Sequence, residues 1–125
     1  KNILININCD KKIYFNGDFT WEVEAISNIL KNSIEYSNNN SSIDINVEDN
    51  PFYVKITIID YGIGMNESDL KNIFKRFYKG ENSTSSSVGI GLNLSKKIIE
   101  KDNGFIIASS IENSGTTFEI KYMKK

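Results

Sequence analysis

No histidine occurs anywhere in these 125 residues, which excludes a Ser-His-Asp triad, an imidazole metal site and a histidine general base from within them. Cysteine is almost as scarce. The single Cys9 has no second thiol in the chain, so there is no disulfide framework and a reducing, cytoplasmic setting is expected. Cys9 itself reads as a small core side chain. An excess of one charge is missing too: 15 Lys and Arg stand against 16 Asp and Glu, a net charge of -1. With the basic residues scattered, nothing marks a nucleic-acid or anionic-membrane surface. No apolar run approaches the ~20 residues needed to span a bilayer, and no signal-peptide pattern opens the chain. A soluble piece without direct membrane insertion follows, one that a membrane protein can carry.

What is present fits one domain covering 1–125, since 39% apolar residues in 125 supply one ordinary core. In "NILININC", Ile3, Ile5, Ile7 and Cys9 alternate with Asn6 and Asn8, the period of a half-buried strand; "KKIYFNGD" continues it after a turn, predicting an opening hairpin. From Thr20 the period lengthens. Trp21, Ala25, Ile26, Ile29, Leu30 and Ile34 fall at helical spacing up to Tyr36, with Asp18 or Thr20 as N-cap. "SIDINVED" and "FYVKITIID" read as β-branched strands joined near Asn50-Pro51.

A second helix is predicted over "NESDLKNIFKRFY", capped by Asn66 and carrying Leu70, Ile73, Phe74 and Phe77 on one face. Residues 79–88 are small and polar, as in a lid-like loop. A third helix starts on Gly89 and Gly91, buries Leu92, Ser95, Ile98 and Ile99, and stops at Asn103-Gly104. Two strands around Asn113–Gly115 close the chain, with Phe118, Ile120 and Tyr122 inward. The expected fold is α+β, a two-layer α/β sandwich whose mixed, mostly antiparallel sheet is covered on one face by three helices.

Chemistry concentrates in three places. Glu24, Asn28 and Asn32 recur every four residues on one face of the first helix. Amides in line offer oxygens to a hard cation such as Mg²⁺ and NH₂ groups to phosphate oxygens, though a solvated helix face has the same pattern. The apolar run "IIDYGIGM" ends on Asp60 and at once uses Gly62 and Gly64. Such an acid either closes an Asx-turn or accepts from a ligand amine, with glycines letting a flat ring such as adenine approach the backbone. Gly89 and Gly91 open a helix whose free amides suit phosphate, yet neither a P-loop nor a full dinucleotide fingerprint is present.

In chain order, "EAISNILKNSIEYS", "DYGIGM", "IFKRFYKG" and "GIGLNLS" resemble the N, G1, F and G2 boxes of the GHKL ATPase superfamily. The version is that of the catalytic ATP-binding domain of bacterial sensor histidine kinases, and "SGTTFEIKY" is similar to its closing strand. The resemblance covers Asp18 to Tyr122 and implies the Bergerat fold, ATP and Mg²⁺. By it, Asp60 would hold the adenine amino group, with Gly62, Ile63 and Gly64 shaping the pocket floor and Thr116 supporting the Asp60 end. Asn32 would ligand Mg²⁺ with Asn28 beside it, Tyr36 would flank the nucleoside, and Gly89, Ile90, Gly91 and Leu92 would lie along the phosphates. Lys79 or Arg76, otherwise solvated charges, would meet the γ-phosphate. Phe74 and Phe77 read as core or lid anchors.

The resemblance also implies partners: histidine-bearing dimerisation helices of the same kinase and a downstream response regulator. The chain would be the cytoplasmic part of a membrane-anchored sensor, monomeric as an isolated fragment and unable to autophosphorylate alone. Related branches carry a glutamate where this chain has Asn28, so an anti-sigma-type serine kinase is disfavoured; a degenerate nucleotide-binding module is the other alternative. Glu35 stands where many members carry a cation, lowering the local positive charge, and "KDNG" replaces the common His-Gly-Gly.

Overall fold

A computed structural model describes residues 2–9, 18–76, 78 and 91–124. The elements run β1 (Ile3–Asn8), α1 (Phe19–Tyr36), β2 (Ser41–Asp49), β3 (Tyr53–Asp60), α2 (Glu67–Asn72), α3 (Gly91–Lys101), β4 (Gly104–Ile111) and β5 (Gly115–Met123). They build one five-stranded sheet in the order β1-β2-β3-β5-β4.

Strict alternation in the central strands decides which face is covered. Val54, Ile56 and Ile58 of β3 and Phe118, Ile120 and Tyr122 of β5 point to one side and are buried. There they meet Ala25 and Ile29 of α1 and Leu92, Ile98 and Ile99 of α3, forming a single core. The register Ile56↔Ile120 and Ile58↔Phe118 sets these side chains directly opposite one another. Helices α1 and α3 are further joined by the buried Ser95 hydroxyl, which donates to the Ala25 carbonyl at 2.7 Å.

Local chemistry sets the ends. Asp18 caps α1 by accepting the Trp21 N–H at 3.1 Å, and Asn66 caps α2 through the Asp69 N–H at 2.7 Å. Asn50 accepts the N–H groups of both Phe52 and Tyr53, closing the β2–β3 turn. Asn103 and Asn113 take positive φ at the two expected turns.

The expected hairpin partner of the first strand, in residues 11–18, falls outside the described residues apart from Asp18. Among the described residues β1 runs parallel to β2, which requires the long crossover that α1 provides. Two expectations are corrected. The isoleucines of β1 are less covered than their alternation implies, Ile7 being 67% exposed, and Cys9, read as a core side chain, is exposed as well, because among the described residues β1 is a sheet edge beyond the helices that pack on β3, β5 and β4. Its asparagines bind β2 instead, Asn6 donating to Asp44 at 3.0 Å and Asn8 to Asn46 at 2.7 Å. Finally, α2 ends at Asn72, not beyond Arg76. Backbone bonds Lys75→Asn72 and Tyr78→Lys75 tighten the chain into successive turns, while Asn93 of α3 donates to the Phe74 carbonyl at 2.9 Å.

Candidate functional site

Strand β3 delivers Asp60 to the end of the sheet at 2% exposure. Pairing opposite Thr116 puts its carboxyl beside the start of β5. One oxygen, Oδ1, accepts the Gly62 N–H at 3.1 Å and the Thr116 N–H at 3.3 Å; the Gly62 bond is the Asx-type closure open to any acid in this position. The other oxygen, Oδ2, is buried and has no hydrogen-bond partner among the described residues. Burial pushes the carboxyl above its ordinary value, and the two N–H groups pull the other way. Two backbone donors hold the group in place, and one strong acceptor remains that no described residue satisfies.

A small polar lattice fixes this end of the sheet. Ser110 of β4 donates to the Gly115 carbonyl at 3.0 Å, lies 2.8 Å from the Thr116 hydroxyl and accepts the Met65 N–H at 2.7 Å. Sequence reasoning missed Ser110; the signal lay in the β4–β5 register, which sets it opposite Thr116. Gly115 was missed as well. It sits at φ +129°, where an added Cβ would fall 2.1 Å from the Asp60 carbonyl oxygen, so only glycine lets β5 start against β3 here.

The glycines after Asp60 have close neighbours of their own. A Cβ on Gly62 would lie 1.9 Å from the Tyr36 carbonyl oxygen, and one on Gly64, at φ +68°, 2.2 Å from that of Ile111. Between them Ile63 donates its N–H to Tyr36 at 3.1 Å and accepts from Asn113 at 2.7 Å. The loop after β3 is therefore clamped between the last turn of α1 and the β4–β5 turn.

Helix α1 is the wall shared by both halves of the site. Tyr36 at its end is buried, and burial, then Glu35, Asp69 and Tyr78, push its hydroxyl up to about 12. Asn28 and Asn32 are half-buried on the same helix. A Cβ on Gly91, the first residue of α3, would reach Asn28 at 3.5 Å, so the start of α3 meets the asparagine face. Leu92 turns its side chain into the core. Arg76 is exposed and lies in the turns after α2 rather than on a continuing helix. Lys79, Gly89 and Ile90 fall outside the described residues, as does Phe77.

The geometry thus joins Asp60, Gly62, Ile63, Gly64, Tyr36 and Thr116 at one end and Asn28 with Gly91 at the other. Known proteins share this framework. The sequence model of the family described as histidine kinase-, DNA gyrase B-, and HSP90-like ATPase matches residues 17–125. Heme sensor protein HssS of Staphylococcus saprophyticus is 37% identical over 112 residues, covering 90% of this chain and 24% of that protein. Sensor protein kinase WalK of Staphylococcus aureus is 33% identical over 115 residues, 88% of this chain and 28% of that protein. The chain thus spans about a quarter of the length of the curated relatives it matches. The solved catalytic domain of histidine kinase ThkA superposes with a TM-score of 0.82 at 27% identity, covering 98% of this chain and 80% of that one.

Proposed function

Because the chain belongs to the histidine kinase-, DNA gyrase B- and HSP90-like ATPase family, we propose that it binds MgATP and presents the γ-phosphate to a histidine on a separate dimerisation domain. The observation that carries this reading is the buried, unpaired Asp60 Oδ2. A carboxylate held by two N–H groups, with one oxygen unsatisfied, accepts a hydrogen bond from an exocyclic amine such as that of adenine. Guanine would set a carbonyl oxygen against the same acceptor, so selectivity for ATP over GTP follows.

The donor set for phosphates fits the same reading. Neutral amide oxygens of Asn32 and Asn28 suit a hard cation shared with phosphate oxygens, and Mg²⁺ bound there supplies charge neutralisation. The α3 start lies against Asn28, which supports its backbone N–H groups as donors to phosphate oxygens. Lys79 or Arg76 adds positive charge. With Asn28 in the position of a base-bearing glutamate, the chain positions and neutralises rather than deprotonates. The attacking group then brings its own base, as an imidazole does.

The 125 residues contain no histidine, so the acceptor lies outside them, on dimerisation helices whose phosphate passes to a response regulator. A cytoplasmic location accords with this, and among the described residues no helix is long and apolar enough to cross a membrane.

Titration calorimetry with MgATP, MgGTP and metal-free ATP, on wild type and Asn32→Ala, tests the binding half. ATP-selective binding whose Mg²⁺ dependence disappears in the variant is expected. Mixing the chain with a helical acceptor fragment and labelled ATP tests transfer. Label on histidine is expected; bound ATP without any labelled histidine would reduce the domain to a nucleotide-binding module.

A further inference from the structure

At the opposite end of α1 lies a second group of acids that the nucleotide site does not use. Glu22 is one turn into the helix, on the inward face shared with Ala25 and Ile29, and is 5% exposed. Its Oε1 accepts the Tyr122 hydroxyl of β5. Its Oε2 is buried and receives no donor among the described residues. Asp102, in the turn after α3, places its carboxyl within hydrogen-bonding reach of Glu22 and accepts the Asp18 N–H at 3.2 Å through Oδ2. Asp18 in turn caps α1. The start of α1, the end of α3 and the last residues of β5 all meet on this one carboxyl.

Among the described residues every charged group facing Glu22 is acidic: Asp18 from the cap of α1 and Asp102 from the end of α3, with the Tyr122 phenol from β5. Among the described residues no cation pairs with Glu22. Lys97 and Lys101 line a neighbouring cavity of about 330 Å³, together with Trp21, Leu94 and the two aspartates. No three acids among the described residues are placed to hold a metal ion.

Two ionised carboxylates would leave Glu22 Oε2 buried without a donor and set like charges together; one proton removes both faults. We propose that Glu22 and Asp102 share a single proton, Glu22 Oε2–H donating to the Asp102 carboxylate, and that this proton latches the first turn of α1 to the end of α3. Loss of the proton as pH rises unlatches that end of the helix pair.

Burial, and then the bond to Asp102, push the Glu22 carboxyl up to about 8, against the opposing Tyr122 hydroxyl bond. A carboxyl raised in the folded state contributes stability that is complete below its unfolded value. That contribution falls as pH climbs and is gone above the folded value. The window therefore runs from near the ordinary value of 4.5 up to about 8. Across it the folding equilibrium constant drops by up to about tenfold per pH unit from this group alone.

The test is thermal and urea denaturation of the whole chain from pH 5 to 9, for wild type and Glu22→Gln, with ¹³C NMR titration of the Glu22 carboxyl in wild type and Asp102→Asn. Glutamine keeps an oxygen for Tyr122 and donates an amide proton to Asp102 at any pH. The wild-type folding constant should therefore fall by two to three orders of magnitude relative to E22Q between about pH 5 and 8. The carboxyl should titrate far above 4.5 in wild type and move back toward it in D102N, whose amide donates to the ionised Glu22. Parallel pH profiles for wild type and E22Q, or a Glu22 carboxyl titrating near its ordinary value in wild type, would overturn the proposal.

Discussion

Replacing Asp60 by Asn separates recognition from folding more cleanly than any other change at the site. The amide oxygen can occupy the place of Oδ1 and keep the bonds from Gly62 at 3.1 Å and Thr116 at 3.3 Å. The NH₂ group then falls where Oδ2 stands unpaired and turns the free acceptor into a donor. Facing an adenine amine, it forfeits a hydrogen bond to an ionised acceptor, about 1.5–3 kcal/mol, and leaves a buried donor facing another donor, about 1–3 kcal/mol more. The sum is roughly 2.5–6 kcal/mol, about a sixtyfold to twenty-thousandfold loss in ATP affinity.

Folding should move the other way. Burial raises the Asp60 carboxyl in the folded state, so its contribution to stability is complete below the unfolded value and lost as pH rises through the folded one. Wherever it is ionised, the half-paired acid is a net cost that a neutral amide avoids. Calorimetric ATP titration beside a thermal melt at pH 7 is the assay, with the melting temperature expected to hold or rise. Asp60→Asn binding ATP within threefold of wild type, with an unchanged melt, would refute the recognition assigned to Oδ2.

If Asp60 Oδ2 receives the adenine amine as proposed, the same carboxyl should make ATP affinity depend on pH. An amine donor favours the ionised acid, so affinity should fall as pH drops through the raised Asp60 value, with proton release on binding at acidic pH, measurable by calorimetry in buffers of different ionisation enthalpy. Gly62→Ala should fail to accumulate folded protein, because its Cβ would lie 1.9 Å from the Tyr36 carbonyl oxygen. Gly91→Ala, whose Cβ would make ordinary 3.5 Å contact with Asn28, should fold with a melting temperature within a few degrees of wild type. Ser110→Ala removes the acceptor of the Met65 N–H and the donor to Gly115. A loss of about 1–3 kcal/mol by urea denaturation is expected, with weaker ATP binding as the Asp60 end loosens.

Short-range information was the most legible in the sequence. Asp18 and Asn66 as caps, Asn50 at its turn, and Asn103 and Asn113 at positive φ depend on a side chain bonding backbone two or three residues away or on one residue's allowed conformations. The period-two pattern of β5 likewise named its buried face, Phe118, Ile120 and Tyr122, before any neighbour was known. The four boxes in order were enough to identify the family and to single out Asp60.

Tertiary structure decided what depends on partners far along the chain. Alternation in β1 states that one face is apolar, not whether a helix covers it or whether the neighbouring strand runs parallel. The periodicity through Ile73 and Phe74 continues as though helical, but where α2 stops is set by contacts with α3, including Asn93. Gly115 and Ser110 became site residues only through strand register. Glu22 reads as one more surface acid until folding brings Tyr122 and Asp102 to it across 100 and 80 positions. Local preference is carried by neighbouring residues, but the desolvation of a carboxyl is set by whatever the completed fold packs around it.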